Sequence, residues 1–461
     1  MDQMKPIRVA PWVLAACIAV VGPLANAQTA TPPAATPPPV APAPPAATAP
    51  APPATTTAAA PAAPAAPPPG LWIDGIHLSA QLDAGILGNP SNPSDGLNFG
   101  HLFTDHANQV QLNQLLLTAN KPLDPKNSDY QWGFKVQFMY GSDARYTQFL
   151  GELNRVDPNQ RYQLDVVEAN ALAHLPWLTA NGIDLKVGQY PTPLGYETID
   201  PSTNPFYSHS YIFNFGLPLK HTGGLAVTHV NDTLDIYGGI DTGTNTTFGP
   251  LGDNNGAIGG IAGFNLTYLG GNLTILGLTH FGPEDATRVL SPLGFNANGF
   301  WRYYNDAVVT WKVSDALTLV TESNLVRDGF GNTFNPGRPV NAFGVAQYAS
   351  YTLTDTITLN GRVEYFRDDN NFFVSSFPTN PGPIQAEQGF GPFVHTAPGS
   401  NTTYGALTLG FTWKPNVPTP VTGLLIRPEV RWDHAFTNNH PFNAQTDNNA
   451  VTLGTDAVIT F

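Results

Sequence analysis

Apolar and polar residues alternate along most of the chain from residue 71 onward. A period of two is typical of β-strands whose two faces meet different environments. The opposite faces of the same strands carry Gln, Thr, Asn and charged residues. The clearest apolar rows are Trp132, Phe134, Val136, Phe138 and Tyr140; Ala307, Val309, Trp311 and Val313; Ile357, Leu359, Val363 and Tyr365; and Ile426, Val430 and Trp432.

The connections between these segments alternate between one short turn and one long loop. The long ones are rich in Asn, Gly, Pro and Asp, which favour loop conformations. The short connections are Lys121 to Asp129, Leu175 to Gly182, Asn231-Asp232, Gly270-Gly271, Ser314-Asp315, Thr354-Asp355 and Pro415 to Pro420. The long ones run roughly over 88–106, 142–160, 191–219, 244–257, 282–300, 328–340, 368–402 and 436–448. This rhythm predicts an all-β protein, a transmembrane antiparallel up-and-down β-barrel of about 16 strands over residues 71–461.

A soluble sheet with its polar face toward solvent would show the same alternation. Three features favour the barrel instead: an even number of predicted strands, strand lengths near the ~9–11 residues that cross a bilayer, and the terminal aromatic Phe461. No run of ~20 apolar residues follows the N-terminus. The formal net charge of −14 gives no basic surface for nucleic acid.

The first 27 residues are predicted to be a signal peptide. Lys5 and Arg8 precede an apolar stretch from Val9 to Leu24, and Ala25-Asn26-Ala27 is a small-x-small cleavage site. An alternative is lipidation at Cys17 after Leu14-Ala15-Ala16, although the apolar stretch continues beyond it. Cleavage after Ala27 would remove the only cysteine, which excludes a disulfide or a cysteine-based metal site.

Residues 28–70 are predicted to be a disordered periplasmic linker, because Ala, Pro and Thr without charges or aromatic rings bury too little surface to fold. The linker is either a passive tether or a contact to the cell wall. It cannot form the folded plug domain that an energy-coupled transporter carries ahead of its barrel.

The densest sequence signal lies in the third long loop. It runs from Gly188-Gln189-Tyr190-Pro191-Thr192-Pro193-Leu194-Gly195-Tyr196-Glu197, through Asn204-Pro205-Phe206-Tyr207-Ser208-His209-Ser210 and Phe213-Asn214-Phe215-Gly216, to Lys220-His221-Thr222-Gly223. This stretch resembles the OmpL-like family of outer-membrane β-barrel porins. The resemblance implies an outer-membrane channel without catalytic residues.

The C-terminal strand carries a predicted signal for the barrel-assembly machinery. Ile459 and Phe461 fit that signal, whereas Asp456 stands where the usual signal has Gly.

A sixteen-strand barrel leaves an aqueous lumen, so selection of solutes needs a narrowing element. The loop at 191–219 is too aromatic to be left in water, and we expect it to fold inward as a constriction. The alternative is that it caps the rim or packs on a neighbouring subunit. The constriction candidates are Glu197, Asp200, Phe206, Tyr207, His209, Tyr211 and Phe213, with Glu197, Asp200 and His209 expected near the narrowest point.

The polar rows also give the predicted pore lining. The basic members are Lys135, Lys186, Arg302, Lys312, Arg362, Arg427 and Arg431, and the acidic members are Glu168, Asp184, Asp235, Asp241, Asp306, Glu322, Glu364, Glu429 and Asp433. Seven bases against nine acids predict at most a weak cation preference.

Other chemistry is sparse, and no cofactor or metal is expected. His101, His106, His280, His395 and His434 lie in or beside loops at no metal-ligand spacing. A barrel lipase would need an outward Ser and His; His229 is the only outward histidine candidate, without a nearby outward Ser. Pro428 predicts either a bulge or an error in the assigned register.

These patterns predict a passive, non-enzymatic porin for small hydrophilic solutes in the bacterial outer membrane. Its expected partners are outer-membrane lipid, the barrel-assembly machinery and further copies of itself as a homo-oligomer. The alternatives are a structural or adhesive barrel with a closed pore and, third, an outer-membrane barrel enzyme.

Overall fold

The computed structural model describes residues 71–124, 129–156, 160–331, 336–374 and 400–461. The predicted signal peptide, the predicted linker, Cys17 and His395 lie outside the described residues. Within the described ranges, no helix combines the length and apolar character needed to cross a membrane.

Turns and long loops connect the strands, and the loops contain only short helical segments. Their bounds are β1 Leu71–Ile73, β2 Ile76–Gly88, β3 Val110–Lys121, β4 Gln131–Gly141, β5 Gln163–Leu175, β6 Ile183–Pro191, β7 Lys220–His229, β8 Leu234–Asp241, β9 Gly259–Tyr268, β10 Leu273–Gly282, β11 Arg302–Lys312, β12 Leu317–Asp328, β13 Val340–Thr354, β14 Ile357–Asp368, β15 Thr402–Trp413, β16 Gly423–Ile426, β17 Glu429–Ala435 and β18 Asn449–Thr460. The helices are α1 Ala144–Thr147 and α2 Thr287–Leu290, the 3-10 turns Pro201–Thr203, Leu269–Gly271, Ser291–Leu293, Ala297–Gly299 and Asp369–Asn371, and a π-turn Ile212–Gly216.

The strands form a closed antiparallel barrel. From β2 to β15 each strand pairs with the next, and both β16 and β17 pair with β15 on one side and with β18 on the other. β18 returns to β2 with a register from Leu453 opposite Gly88 to Thr460 opposite Gln81. Counting β16 and β17 as one interrupted strand gives sixteen strands, as the alternation of turns and loops predicts. Closure pairs every strand on both sides, which a sheet in hydrocarbon requires.

The short segment β1 lies outside this count. It pairs with the beginning of β2 through a tight turn at Asp74 and Gly75, whose φ angles are 50° and 81°. The barrel wall therefore starts at Ile76.

The two faces of the strands have the predicted environments. The outward side chains of Trp132, Val363 and Leu453 are 65%, 56% and 55% exposed, as expected for a surface that meets lipid. Inward side chains such as Arg362 and Asp433 are fully buried. The predicted alternation of β4, β11, β14 and the β16–β17 strand is confirmed.

Pro428 separates β16 from β17 without changing the register. Trp413 pairs with Ile426 before the proline and Gly410 pairs with Glu429 after it, which is the same alignment. The expectation of a bulge or a register error was therefore wrong. Pro428 still accepts a bond from the Phe411 N–H, and only its own missing donor interrupts the ladder.

Candidate functional site

The third long loop, residues 192–219, leaves β6 and returns to β7, and Thr192 N–H donates to Leu219 O at its neck (2.9 Å). Most of its side chains are buried, including Phe206, Tyr207 and Tyr211. Asp200 starts the turn Pro201–Thr203, because its carboxylate accepts from Ser202 N–H. The loop has little regular structure, so its backbone groups need partners elsewhere.

Inward carboxylates on the wall accept bonds from the backbone N–H groups of this loop. Gly195 N–H donates to Asp306 of β11 (3.0 Å) and Tyr196 N–H donates to Glu322 of β12 (3.1 Å). Further along, Tyr207 N–H donates to Glu429 of β17 (2.9 Å), as does Ser208 N–H. Tyr211 N–H donates to Glu364 of β14 (2.7 Å).

Three wall arginines donate to carbonyl groups of the same loop. Arg362 donates to Ser208 O (2.8 Å), and Arg431 donates to His209 O (2.8 Å). Arg427 donates to both Pro201 O (2.6 Å) and Asn204 O (2.7 Å). Hydrogen bonds that involve a charged group are among the stronger ones in proteins, so these arginines stabilise the observed conformation of the loop.

The loop contacts a contiguous arc of the barrel that runs from β11 through β18 to β3. On the β2 and β3 side, Gln81 donates to Asp200 (2.9 Å), Gln114 donates to Ile199 O (2.8 Å) and the Tyr207 hydroxyl donates to Asn113 (2.9 Å). The two ends of the loop are attached to β6 and β7, outside that arc. The chain therefore extends across the interior of the barrel.

Glu197 is the most connected acid of the loop. Its carboxylate accepts from Arg362 (2.6 Å), from Ser210 N–H (2.9 Å) and from the Tyr348 hydroxyl (3.1 Å), and it contacts the imidazole of His209 at 3.0 Å. Burial alone would raise the pKa of Glu197, but Arg362 and then His209 outweigh it and hold the pKa at about 2. Glu197 is therefore ionised and internally neutralised.

The aromatic residues of the loop pack on the wall and on the first long loop. Tyr211 stacks on Phe366 and Tyr404 and donates through its hydroxyl to Asp433 (3.0 Å). Phe213 stacks on His209, with ring centroids 4.1 Å apart, and both rings contact Phe103. Arg362 also lies over the ring of Phe206 at 5.1 Å.

The predicted wall residues divide into two groups. Arg362, Glu364, Arg431 and Asp433 form one fully buried network, in which Arg362 and Arg431 lie 2.7 Å and 3.2 Å from Glu364. Arg427 pairs with Asp456 of β18, and Asp306, Glu322 and Glu429 hold the loop as described.

The second group lies apart from the loop. Lys135 pairs with Glu168 of β5, and Arg302 pairs with Asp328 at 2.7 Å. Lys186 is partly exposed, and Lys312 is exposed at the end of β11.

His229 faces the lumen, so the prediction of an outward histidine was wrong. It pairs directly across β7 and β8 with Asp235 (2.8 Å) and lies 3.3 Å from Asp184 of β6, which also contacts His174 at 2.6 Å. Ile236 and Ile240, the neighbours of Asp235 along β8 on the other face, are exposed outward. Pairing with two carboxylates favours an imidazole inside the barrel over one facing lipid.

Several residues that hold the loop were not among the sequence candidates. These are Gln81, Asn113, Gln114, Tyr348 and Asp456. The period-two rule places Gln81, Gln114, Tyr348 and Asp456 on inward faces, but a neutral amide or a tyrosine does not stand out in a search for charges. Asn113, the neighbour of Gln114 along β3, faces inward as well because the pairing of β2 with β3 shifts by one residue at this point. The sequence also gave no signal for the approach of His221, Asp241 and His280, whose ligand atoms lie within 4.8 Å of one another.

A family model described as "Putative beta-barrel porin-2, OmpL-like" matches residues 75–461. No curated protein matches the sequence. Among solved structures, OmpF of Salmonella typhi in complex with daunomycin aligns with a TM-score of 0.51 at 8% identity, over 85% of this chain and 99% of that chain.

Two further solved structures align at lower TM-scores. The outer membrane channel DcaP of Acinetobacter baumannii gives 0.48 at 12% identity, over 85% of this chain and 100% of that chain. The anion-selective porin from Comamonas acidovorans gives 0.49 at 8% identity, over 84% and 99%. At 8% identity, the likeness to OmpF concerns the fold alone.

Proposed function

Because this chain belongs to the OmpL-like family of β-barrel porins, we propose that it is a passive outer-membrane channel for small hydrophilic solutes, narrowed by the loop 192–219. The observation that carries the proposal is the set of bonds between the loop backbone and inward residues of β11, β12, β14 and β17. A loop attached to β6 and β7 but bonded to the far wall reduces the cross-section open to water.

The remaining aqueous path runs beside β4 to β9. Support comes from the inward side chains that keep contact with solvent there: Lys135, Lys186, Asp184 and Asp235 are partly exposed, whereas Arg362 and Arg431 are not. Two bases and two acids along this path predict weak charge selectivity. The acidic balance of the whole predicted lining leaves the weak preference on the cation side.

A closed structural or adhesive barrel is the second candidate. One observation favours it: Phe103 of the first long loop packs against Phe213 of the third and Tyr146 of the second, so three loops meet inside the barrel. If such contacts extend over the whole cross-section, no continuous water path remains. This candidate predicts a folded barrel without conductance.

Single-channel recording in planar lipid bilayers tests the proposal. The full chain should give discrete conductance steps, and small uncharged sugars should enter vesicles that contain it. Heat-modifiable migration in a gel confirms folding in the same preparation. A folded barrel without conductance steps or sugar uptake would contradict the channel and favour the closed barrel. Lipase assays on that preparation would address the enzyme alternative.

The remaining expected interactions stay predictions. They are recognition of Ile459 and Phe461 by the barrel-assembly machinery, contact of residues 28–70 with the cell wall, and assembly into a homo-oligomer.

A further inference from the structure

Three inward side chains meet near the ends of β7, β8 and β10 that lie on the long-loop side. His221 Nδ1 lies 3.3 Å from Asp241 Oδ2, and His280 Nε2 lies 3.0 Å from Asp241 Oδ1. The side chains of all three residues are 0% exposed. One potential ligand atom from each lies within 4.8 Å of the other two.

A glycine in the neighbouring strand leaves room for the side chains of Asp241 and His280 to come close together. Gly259 of β9 lies between Asp241 and His280, and a Cβ atom there would lie 2.7 Å from Asp241 Oδ1 and 3.0 Å from His280 Nε2. Any other residue at this position would push the two side chains apart. Because Gly259 has no side chain, Asp241 of β8 and His280 of β10 can come into contact across β9, which separates their strands.

Polar atoms in the cluster lack the partners that buried groups normally have. Within the described ranges, neither His280 Nδ1 nor the hydroxyl of Tyr190, which pairs with His221 across β6 and β7, makes a hydrogen bond. His221 Nδ1 and Asp241 Oδ2 face each other at 3.3 Å without hydrogen-bond geometry and make no other hydrogen bond. Buried polar atoms without a partner are unfavourable, because they lose their hydrogen bonds to water on folding. A bound cation would satisfy the nitrogen and the carboxylate oxygen together.

We propose that His221, Asp241 and His280 bind one divalent transition metal ion of the zinc type. Two imidazoles and one carboxylate suit first-row transition metals better than Mg²⁺ or Ca²⁺, which prefer oxygen ligands. With bonds of about 2.0–2.1 Å, tetrahedral geometry separates two ligand atoms by roughly 3.3 Å. That is the distance between His221 Nδ1 and Asp241 Oδ2 (3.3 Å).

The surroundings have the outer hydrogen bonds that metal-binding histidines use. With the ion on His221 Nδ1, His221 Nε2–H faces the Thr192 hydroxyl oxygen at 3.0 Å. With the ion on His280 Nε2, the other ring nitrogen lies 3.8 Å from Glu284 Oε1, which is too long for a hydrogen bond but places an acid beside that nitrogen. Gly243 N–H donates to Asp241 Oδ1 (2.8 Å) and fixes the carboxylate. The ion would thus connect the neck of the third loop with the fourth and fifth long loops.

Zinc titration of the full chain tests this site. Protein without a histidine tag is folded in detergent, treated with EDTA, freed of chelator and titrated with ZnCl₂ by calorimetry. We expect one ion per chain in the wild type and loss of that site in His221→Gln and His280→Gln. Glu284→Gln should weaken binding about 10- to 100-fold, as expected for an outer partner. His101→Gln is the matched control, because His101 is buried against the single acid Asp433.

Heat-modifiable migration identifies variants that do not fold. If a histidine variant fails to fold, Asp241→Asn, which keeps the shape of the side chain, takes its place. Visible absorption of the Co²⁺-loaded wild type should show the intense bands of a tetrahedral site. The proposal is overturned if the wild type binds no stoichiometric Zn²⁺, if the cluster variants bind like the wild type, or if His101→Gln abolishes binding equally.

Discussion

Glu197 of the third loop lies with Oε1 2.6 Å from Nη1 of Arg362 on β14, and both side chains are buried. The two residues are 165 positions apart in the chain. Their contact attaches an irregular loop to the far wall of the barrel. It also cancels a charge that, from sequence, could be expected to act on passing ions.

Glu197→Gln should reduce stability by about 3 kcal/mol at pH 7, because the pKa of Glu197 falls from its ordinary 4.5 to about 2 on folding. A lowered pKa stabilises the folded state above pH ~4.5 and loses that contribution as the pH falls toward 2. The difference in the free energy of unfolding between wild type and variant, measured by urea unfolding in lipid vesicles, should therefore decrease over this range. Asp355→Asn on an exposed turn is the control and should show no such gap. An equal gap at pH 7 and pH 2.5 would contradict the ion pair.

Charge selectivity should respond to exposed positions of the loop rather than to its buried acids. Thr203 is exposed on the loop, so Thr203→Lys should shift the reversal potential in a KCl gradient toward anions and Thr203→Asp toward cations. A charge near the narrowest water path has more effect than one on the rim. Ser291→Lys, on an exposed outer loop, should have a smaller effect. Equal shifts at both positions would place residue 203 away from the narrow region.

Shortening residues 202–212 should raise single-channel conductance, because it removes the segment that crosses the interior. It also removes the carbonyl partners of Arg362, Arg431 and Arg427, so stability should fall at the same time. Conductance is therefore compared only among molecules with heat-modifiable migration. Wild-type conductance in a folded, shortened variant would mean that the wall sets the narrowest point.

Deleting Phe461 should lower the yield of folded barrel. Phe461 N–H donates to Ala80 O (2.9 Å), and its carbonyl accepts from Ala80 N–H (3.4 Å), so the residue extends the closing ladder. Phe461→Ala keeps these backbone bonds and removes only the ring. If assembly reads the aromatic ring, both variants should lose folded protein in the outer-membrane fraction. Normal yield from Phe461→Ala with reduced yield from the deletion would assign the effect to the backbone.

Pro428→Val should stabilise the barrel by about 0.5–1.5 kcal/mol, the usual net value of one hydrogen bond. The register is the same on both sides of Pro428, so a new N–H would face Phe411 O in an intact ladder. The urea midpoint of the folded barrel measures this gain. Pro418→Val in a short turn is the control, and an equal gain there would show a general effect of removing proline.

The barrel and its alternation could be predicted from sequence because both depend on local patterns. Period two decides which face each residue takes, and turn chemistry decides where strands end. These rules placed Arg362 and Glu364 on the inward face correctly. The aromatic content of the third loop led to the expectation that Glu197 lies near the narrowest point of the pore, but it could not show that Arg362, 165 positions along the chain, neutralises this acid.

The cluster at His221, Asp241 and His280 was missed for a related reason. Its members lie on three strands and share only their depth in the barrel, so no local spacing marks them. Gly259 gave no signal either, since a strand glycine commonly marks a bulge or a bend. His229 was assigned to the wrong face because it is the last residue of β7, where the register is hard to judge from sequence. The pairing of His229 with Asp235 places it on the inward face.

The double role of Arg427 has a consequence for how the barrel stays closed. Arg427 bonds to Asp456 on the last strand and, through the same guanidinium, to Pro201 O and Asn204 O of the third loop, whose Asp200 reaches Gln81 on the first wall strand. The loop thus connects β18 and β2, the last and first strands of the wall, in addition to their direct pairing. Separating β18 from β2 would require breaking these contacts as well as the ladder. Asp456, the residue that departs from the usual assembly signal, takes part in these contacts through its bond to Arg427.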